Sequence, residues 1–183
     1  MNMRYFFEPF PIFDLGEIIL REIPQDDAAA YFDYMNMDKM SGFLTKENIP
    51  ENIEASVEEV EYWASLFPTK KSIYWAIALK ENNLMIGTAG FNHISFKNSK
   101  AEISYDLHPN YWGRGIMLKS IKSILQFSDT CFELVRVQAT VVTYNEKSIK
   151  LLERCGFNKG GYLTKYEVVD GEHKDYYMFE RVH

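Results

Sequence analysis

The sequence predicts one mixed α/β domain. Its 183 residues are enough for a single substantial hydrophobic core. Segments with the alternating apolar residues of strands are interspersed with segments of helical spacing, in the order strand, helices, three strands, helix, strand, helix, two strands. Since no repeat or low-complexity linker interrupts this order, we take residues 17–183 as the domain and residues 1–16 as an N-terminal extension.

The first half of the predicted domain begins with a strand over Glu17–Glu22. A helix follows from Pro24 to Met35, where a proline and two aspartates are typical of a helix start. The segment Gly42–Pro50 is predicted as a loop, and a second helix spans Glu51–Leu66. Helical spacing predicts that four residues of this second helix are buried: Ile53, Val57, Val60 and Ala64.

A hairpin follows, and then a third extended segment. The residues of Ser72–Leu79 and Leu84–Ile94 have strand character, and Glu81-Asn82-Asn83 between them suits a turn. Gly87 and Gly90 inside the second strand indicate a bulge or a close backbone approach. The alternation in Ala101–Leu107 predicts the next strand.

The second half of the chain is predicted by the same criteria. Its elements are a helix over Gly115–Phe127, a strand over Arg136–Val142, a helix over Asn145–Cys155, and two strands over Asn158–Val169 and Glu172–Arg181. Asn145 is a favourable helix N-cap and Gly156 a favourable helix stop. Asp170-Gly171 is a favoured hairpin turn between the last two strands.

Composition narrows the function classes. The net charge of −6 argues against a broad electrostatic contact with nucleic acid. Residues 1–11 contain no continuous apolar stretch, so we expect neither a signal peptide nor a membrane anchor. Cys131 and Cys155 have no metal-ligand spacing and do not form a disulfide framework, so we expect no metal site and a cytoplasmic location. The aromatic share of 15% is expected to form core.

The turn after the third strand of this series is a candidate phosphate site. Gly113 and Gly115 open a helix directly after a strand, which exposes unpaired backbone N–H groups at the positive end of a helix dipole. A dinucleotide fingerprint would need a third glycine where Leu118 stands, and a nucleoside triphosphate loop would need lysine where Ile116 stands. Spacing alone leaves a purely structural turn as the alternative.

Two motifs resemble one known family. Asn110–Met117 resembles the acyl-CoA pyrophosphate loop of the GCN5-related N-acetyltransferase (GNAT) superfamily, whose pattern is Gln/Arg-x-x-Gly-x-Gly/Ala. Arg136-Val137-x-Ala139, followed by the Asn-x-x-Ser-x-x-Leu-Leu-Glu-x-x-Gly-Phe segment of residues 145–157, is similar to that superfamily's second signature. Together with Gly161-x-Leu163, these motifs resemble the branch of ribosomal-protein N-acetyltransferases.

The resemblance implies a fold and a co-substrate. The fold would be a central, mostly antiparallel sheet of six to seven strands flanked by about four helices, and the co-substrate would be acetyl-CoA. The implied cofactor-binding residues are Leu107, Asn110, Trp112, Gly113, Arg114, Gly115, Ile116, Met117, Asn145, Ser148 and Leu151. The acetyl group would pass directly to a primary amine, either a protein N-terminus or a small molecule. The chain would act as a monomer or homodimer.

Two catalytic roles are assigned. Glu102 is the first candidate for the base, directly or through a water, and the alternative is a structural carboxylate paired with a neighbouring strand. Glu102 and Asp106 share a strand face but lie ~13 Å apart, too far for a shared-proton pair. By resemblance, Ser148 approaches the sulfur as proton donor, a role that Tyr144, Tyr162 or Tyr166 could share. In the ribosomal-protein branch a glutamate base often stands where this chain has Gly160.

Three further expectations concern the site. Cys155 lies at a helix C-terminus, where the dipole disfavours a thiolate nucleophile. The helix Glu51–Leu66 is expected to form a wall of the acceptor cleft. The alternative function is a non-catalytic CoA-binding sensor or scaffold, which would need Gly113, Gly115 and Asn145 but not the catalytic residues.

Overall fold

The computed structural model describes residues 9–183, in which eight strands form one sheet. The strands are β1 (Phe13–Asp14), β2 (Ile18–Arg21), β3 (Ile73–Leu79), β4 (Met85–Ser95), β5 (Lys100–Leu107), β6 (Arg136–Val142), β7 (Asn158–Val169) and β8 (Glu172–Val182). Their order in the sheet is β1-β2-β3-β4-β5-β6-β8-β7. All neighbours are antiparallel except β5 and β6, which are parallel.

Helices cover both faces of the sheet. Within the described range they are α1 (Ala28–Met35), α2 (Asp38–Ser41), α3 (Ile53–Leu66), α4 (Ile116–Phe127) and α5 (Glu146–Arg154). α4 and α5 pack on one face, in the larger hydrophobic cluster. α1 and α3 pack on the other face, around Tyr31, Tyr34 and Val60.

The aromatic side chains are largely core, as the composition predicted. Tyr31 of α1 lies 5.0 Å from Trp63 of α3, measured between ring centroids. Trp63 in turn stacks on Tyr74 of β3 at 5.5 Å.

These contacts also explain an error in the predicted buried face of α3. The helix is rotated so that Ser56 and Val60 are buried, whereas Ile53 and Ala64 are exposed.

Two predicted backbone features are confirmed. A Cβ on Gly87 would lie 2.5 Å from the carbonyl oxygen of Asp106, and one on Gly90 would lie 2.3 Å from that of Ile73. Both glycines therefore allow close strand approach. Asp170 and Gly171 have φ values of 52° and 75°, the left-handed pair that a tight hairpin turn requires.

The predicted fold class is confirmed, with eight strands in place of six to seven and five described helices in place of about four. The additional elements are β1 and α2, whose lengths of two and four residues are too short for a periodic signal. β1 belongs to the segment predicted as an extension, yet Phe13 pairs with Leu20 and packs against Trp75. Residues 1–8 of that extension lie outside the described range.

The sheet is split between β5 and β6. Their pairing runs only from Lys100 opposite Arg136 to Glu102 opposite Gln138. Beyond this point β5 continues to pair with β4, and β6 with β8. Residues 103–107 of β5 and 139–142 of β6 therefore lack each other as partners, and backbone groups on the facing edges are open to a ligand.

Candidate active site

A cavity of about 660 Å³ occupies the split between β5 and β6. Its lining includes Tyr105 and Leu107, on the face of β5 that packs towards α4 and α5, and Glu102, Ser104 and Asp106 on the other face. Because successive residues of a strand point to opposite faces, the cavity reaches both sides of the sheet through the split.

The first end of the cavity, which we call the loop end, is formed by Trp112, Gly113, residues 115–118 and α5. Gly113 and Gly115 both have a φ of 77°, and Gly115 is the N-cap of α4 without a side-chain cap. Among the described residues, none accepts a hydrogen bond from the backbone N–H groups of residues 113–117. Several N–H donors are thus available for an anion at a helix N-terminus.

The loop is held to the end of β5. Trp112 Nε1 donates a 2.6 Å hydrogen bond to the carbonyl oxygen of Leu107, and the ammonium of Lys147 lies 4.5 Å from the centroid of a Trp112 ring. Ile116 and Met117 are buried beneath the loop and also line the cavity. These contacts keep the glycine turn against the split.

Two of the predicted cofactor-binding residues lie outside the cavity lining. Asn110 is exposed, and its backbone N–H donates to His108 Nδ1 at 3.1 Å. Arg114 is also exposed, with its guanidinium carbon 5.1 Å from the centroid of the Tyr111 ring. The other predicted residues line the cavity: Leu107, Trp112, Gly113, Gly115, Ile116, Met117, Asn145, Ser148 and Leu151.

Helix α5 presents Ser148 to the cavity. Asn145 caps the helix by accepting a 3.1 Å hydrogen bond from the Ser148 backbone N–H, as predicted. The Ser148 hydroxyl lies 2.7 Å from the Tyr105 hydroxyl, and either can be the donor. Burial raises the pKa of the Tyr105 phenol, an effect that the hydrogen bond with Ser148 opposes. Tyr105 is therefore a neutral hydrogen-bonding group.

The second end, which we call the carboxylate end, is formed by Glu102 and Glu167. Glu102 Oε1 accepts a 3.5 Å hydrogen bond from Thr140 Oγ1. Burial, followed by the negative charges of Glu102 and Glu167, raises the pKa of Tyr166. Within the described part of the chain neither glutamate forms a salt bridge.

Charge is therefore segregated across the cavity. Two of its acidic lining residues, Glu102 and Glu167, lie at the carboxylate end, and the third, Asp106, is engaged by hydrogen bonds within the protein. Its basic lining residues are all on α5: Lys147, Lys150 and Arg154. Glu102 and Leu107 are ~16 Å apart along β5. The basic side would attract the anionic part of one ligand, and the carboxylate end would attract the cationic part of a second ligand.

Asp106 is a half-buried residue whose carboxylate has local partners. It accepts hydrogen bonds from the Tyr34 hydroxyl at 2.5 Å and from the Thr88 backbone N–H at 3.0 Å, and a further one from the Thr88 hydroxyl. Burial raises its pKa, although these hydrogen bonds act in the opposite direction. Because its oxygens are occupied, Asp106 connects β4, β5 and α1.

The third wall of the cavity is the segment of residues 40–48, not helix α3 as predicted. Phe43 lies 6.3 Å from Trp112 and 6.2 Å from Tyr144, between ring centroids. The Tyr144 hydroxyl donates to the Gly42 carbonyl oxygen at 2.9 Å. The prediction failed because α3 contacts α1 and β3, which leaves the preceding loop to cover the split.

The structure also places the other reactive candidates. Tyr144, Tyr162 and Tyr166 do not line the cavity, whereas Tyr105 does. Cys155 is buried, and burial raises the pKa of its thiol to about 11, which disfavours a thiolate as expected. Gly160 is likewise outside the lining, with Glu180 beside it.

Three sets of cavity-lining residues were missed by sequence reasoning: Tyr105, Glu167 and those of the segment of residues 40–48. Tyr105 shares the strand face of Ile103 and Leu107 on β5, so its spacing indicated only a core position. Glu167 occupies the middle of a long hairpin far along the chain from Glu102, and no local pattern connects them. The available signal was a hydroxyl on the buried face of a strand next to the predicted phosphate turn.

None of the helices within residues 9–183 has the length and apolar character needed to span a bilayer. Over the same range, no three His, Cys, Asp or Glu side chains are grouped in a way that would hold a metal ion.

Comparison with known proteins identifies the family. A family model described as an acetyltransferase (GNAT) domain matches residues 17–158. The chain is 33% identical over 162 residues to the uncharacterized N-acetyltransferase YoaA of Bacillus subtilis (strain 168). The aligned residues make up 88% of this chain and 91% of that protein. It is 24% identical over 108 residues to the [ribosomal protein uS5]-alanine N-acetyltransferase of Escherichia coli (strain K12), covering 58% and 56% of the two chains.

A solved structure agrees over nearly the whole chain. The microcin C7 self-immunity acetyltransferase MccE, in complex with acetyl-CoA and AMP, superposes with a TM-score of 0.82 at 26% identity, covering 92% of this chain and 93% of that one. The resemblance drawn from the two sequence motifs is thereby confirmed. The chain belongs to the GNAT family of acetyltransferases, and the enzyme class predicted from its sequence, an N-acetyltransferase, is confirmed.

Proposed function

We propose that this chain transfers an acetyl group from acetyl-CoA directly to a primary amine, with both substrates bound in the cavity at the β5–β6 split. One observation carries the proposal. A single cavity joins a glycine turn with unpaired backbone N–H groups to two glutamates without salt-bridge partners among the described residues. An anionic donor and a cationic acceptor fit these two ends.

The residues of the loop end fit the phosphates and the extended arm of CoA. The N–H groups of residues 113–117 would hold the pyrophosphate, and Lys147 and Lys150 are placed on the same side of the cavity. The unpaired edges of β5 and β6, with Asn145 and Leu151, would line the pantetheine arm. When bound, acetyl-CoA supplies an acetyl thioester with a thiolate leaving group.

Glu102 is the proposed base. A free primary amine has a pKa of ~10.4, so it arrives mostly as an ammonium and must lose a proton before it attacks. Glu102 lines the cavity and has one weak protein hydrogen bond, from Thr140, which leaves carboxylate lone pairs for the ammonium or a bridging water. Glu167 adds negative charge that attracts the cation.

Ser148 is the proposed donor to the departing sulfur. Its backbone is fixed by the Asn145 cap and its hydroxyl lines the cavity. A covalent acetyl-enzyme is not part of the proposal, because the raised pKa of Cys155 and its burial make a poor nucleophile. The transfer therefore takes place in a ternary complex.

The proposed acceptor is a primary amine, carried by a protein N-terminus or by a small molecule. A relative acts, by its name, on the alanine of ribosomal protein uS5, which supports the first class. The segregated negative charge of the carboxylate end supports both. We place the reaction in the cytoplasm, where free thiols such as those of Cys131 and Cys155 persist, and a monomer or homodimer remains the prediction for the assembly.

The experiment is a thiol-release assay with acetyl-CoA across a panel of small amines and peptides with free N-termini. We expect thiol release that requires an amine, together with an acetylated amine by mass spectrometry. Intact mass of the protein mixed with acetyl-CoA alone should show no added acetyl group.

Two results would contradict the proposal. An acetylated protein would replace direct attack by a two-step transfer through the enzyme. Binding of acetyl-CoA without amine-dependent release from any member of the panel would leave CoA binding, as in a sensor or scaffold, as the function of the cavity.

A further inference from the structure

The contact between Tyr105 and Ser148 crosses the cavity wall from the sheet to a helix. Tyr105 lies on β5 beyond its last residue paired with β6, and Ser148 lies in the first turn of α5. Their hydroxyl oxygens are 2.7 Å apart, a normal O–H···O distance, and both residues line the cavity.

Counting hydrogens shows what this pair offers to a ligand. Each hydroxyl carries one hydrogen, and only one of the two can lie between the oxygens. Neither hydroxyl has another hydrogen-bond partner among the described residues. One O–H donor of the pair is therefore unused by the protein and is available to a group in the cavity.

We propose that Tyr105 is a positioning residue that holds Ser148 so that the pair presents this one O–H donor to the departing sulfur. The inference rests on the proposed acetyl transfer. In that transfer the C–S bond of the thioester breaks as the C–N bond forms, and the electron pair of the C–S bond goes to sulfur. A donor aimed at that sulfur stabilises the developing charge.

The pair acts as a hydrogen-bond donor and keeps its protons. A thiol has a pKa of ~8.5, well below that of either hydroxyl, so proton transfer from the pair to a thiolate is unfavourable. Burial raises the pKa of Tyr105 further, which keeps its hydroxyl intact at all working pH values. The thiolate can leave without a proton, and the proton of the amine goes to the base at the carboxylate end.

The geometry also explains the need for a positioning residue. A serine hydroxyl rotates freely about its Cβ–Oγ bond unless a partner restrains it. Tyr105 is rigid in comparison, because β5 is paired with β4 along its length and the phenol packs against the large hydrophobic cluster. A fixed phenol opposite a mobile hydroxyl confines that hydroxyl to one orientation.

The test is a double-mutant cycle with Tyr105→Phe, Ser148→Ala and the double variant, assayed with acetyl-CoA and the best amine of the panel. We expect kcat to fall about 100-fold for Ser148→Ala and about 10-fold for Tyr105→Phe, with Kd for acetyl-CoA within about twofold of the wild type. The double variant should be no slower than Ser148→Ala, because Tyr105 acts only through Ser148. The shape of the pH profile of kcat/KM should be unchanged.

Tyr162→Phe is the matched control. It removes another tyrosine hydroxyl with a side-chain hydrogen bond, to Asp175, but lies outside the cavity lining. It should leave kcat unchanged. Should Tyr105→Phe not give folded protein, Tyr105→Gln, whose side chain is polar but shorter than the phenol, takes its place in the cycle. The proposal is then upheld by a lower kcat at an unchanged Kd for acetyl-CoA and overturned by an unchanged kcat.

Other results would also overturn the proposal. An unchanged kcat in Tyr105→Phe would show that the hydrogen bond between Tyr105 and Ser148 serves only the stability of the fold. If the fold-losses in kcat of the two single variants multiply in the double variant, Tyr105 and Ser148 have independent roles. If the pH profile of kcat/KM loses one of its limbs in Tyr105→Phe, Tyr105 acts as a titrating acid. Failure of the acetyl transfer itself is seen differently, as a wild-type protein that releases no thiol with any amine.

Discussion

The loop end and the carboxylate end of the cavity are built by different means. The loop end uses backbone N–H groups of consecutive residues, exposed by Gly113 and Gly115 at the start of α4. The carboxylate end uses the side chains of Glu102 and Glu167, from strands that are not neighbours in the sheet. A contiguous motif encodes the first end, whereas tertiary packing assembles the second.

The difference has a functional consequence. Backbone donors bind a phosphate irrespective of side-chain identity, so the loop end suits a constant co-substrate. Side chains from separate strands and from the loop of residues 40–48 can change independently, so the carboxylate end suits a variable acceptor. Substitutions at the two ends should therefore affect different kinetic quantities.

The largest expected effect is at the carboxylate end, in Glu102→Gln. Glutamine has the same shape but cannot take the ammonium proton, so we expect kcat/KM to fall about 100-fold. Kd for acetyl-CoA, measured by calorimetry, should be unchanged because Glu102 is remote from the glycine turn. Glu58→Gln, on the exposed face of α3, is the control. Unchanged kcat/KM and an unchanged pH profile would remove Glu102 as the base.

The next effect is at the loop end, in Gly115→Ala. Alanine at a φ of 77° is disfavoured by about 1–2 kcal/mol. The turn would relax from the conformation that exposes its N–H groups, and we expect Kd for acetyl-CoA to rise about tenfold. Saturating acetyl-CoA should restore kcat.

Gly156→Ala is a matched control for this substitution. Gly156 also has a left-handed φ, 86°, and neither glycine has an atom within 4 Å of a built Cβ. Both variants should lose similar thermal stability, but Gly156 lies outside the cavity lining and its variant should bind acetyl-CoA normally. Equal affinity losses in the two variants would contradict a specific role for the glycine turn.

The smallest effect is expected for Lys147→Ala. The ammonium of Lys147 lies over Trp112 at the loop end, and an exposed ion pair between this ammonium and a bound phosphate would contribute up to about 1 kcal/mol to binding. We expect a two- to fivefold rise in Kd for acetyl-CoA, by about that free energy, and a weaker salt dependence of binding. Lys159→Ala, whose ammonium lies over Tyr177 outside the cavity, should change neither quantity.

The elements with a strong local pattern were predicted well. The strand Arg136–Val142 has its predicted bounds, and helix α4 begins within one residue of the predicted Gly115–Phe127 and ends where predicted. Both are long enough for hydrophobic periodicity to be read against the core. β1 and α2 were not predicted, because segments of two and four residues carry no such period.

Side-chain partners across the fold were not predictable in the same way. Spacing on α3 favoured Ile53 and Ala64 as buried, but packing of Trp63 against Tyr31 rotated the helix. Tyr105 was indistinguishable from a core residue until α5 placed Ser148 opposite it.

The sequence by itself determined the order of the main elements, the glycine turn at the start of α4 and the helix cap at Asn145. Each depends on neighbouring residues and on backbone preferences, which act over a few positions. Only the tertiary structure decided the depth of the β5–β6 split, the pairing of Tyr105 with Ser148 and the approach of Glu167 to Glu102. These depend on how strands distant in the chain register and twist against each other, a property of the whole sheet.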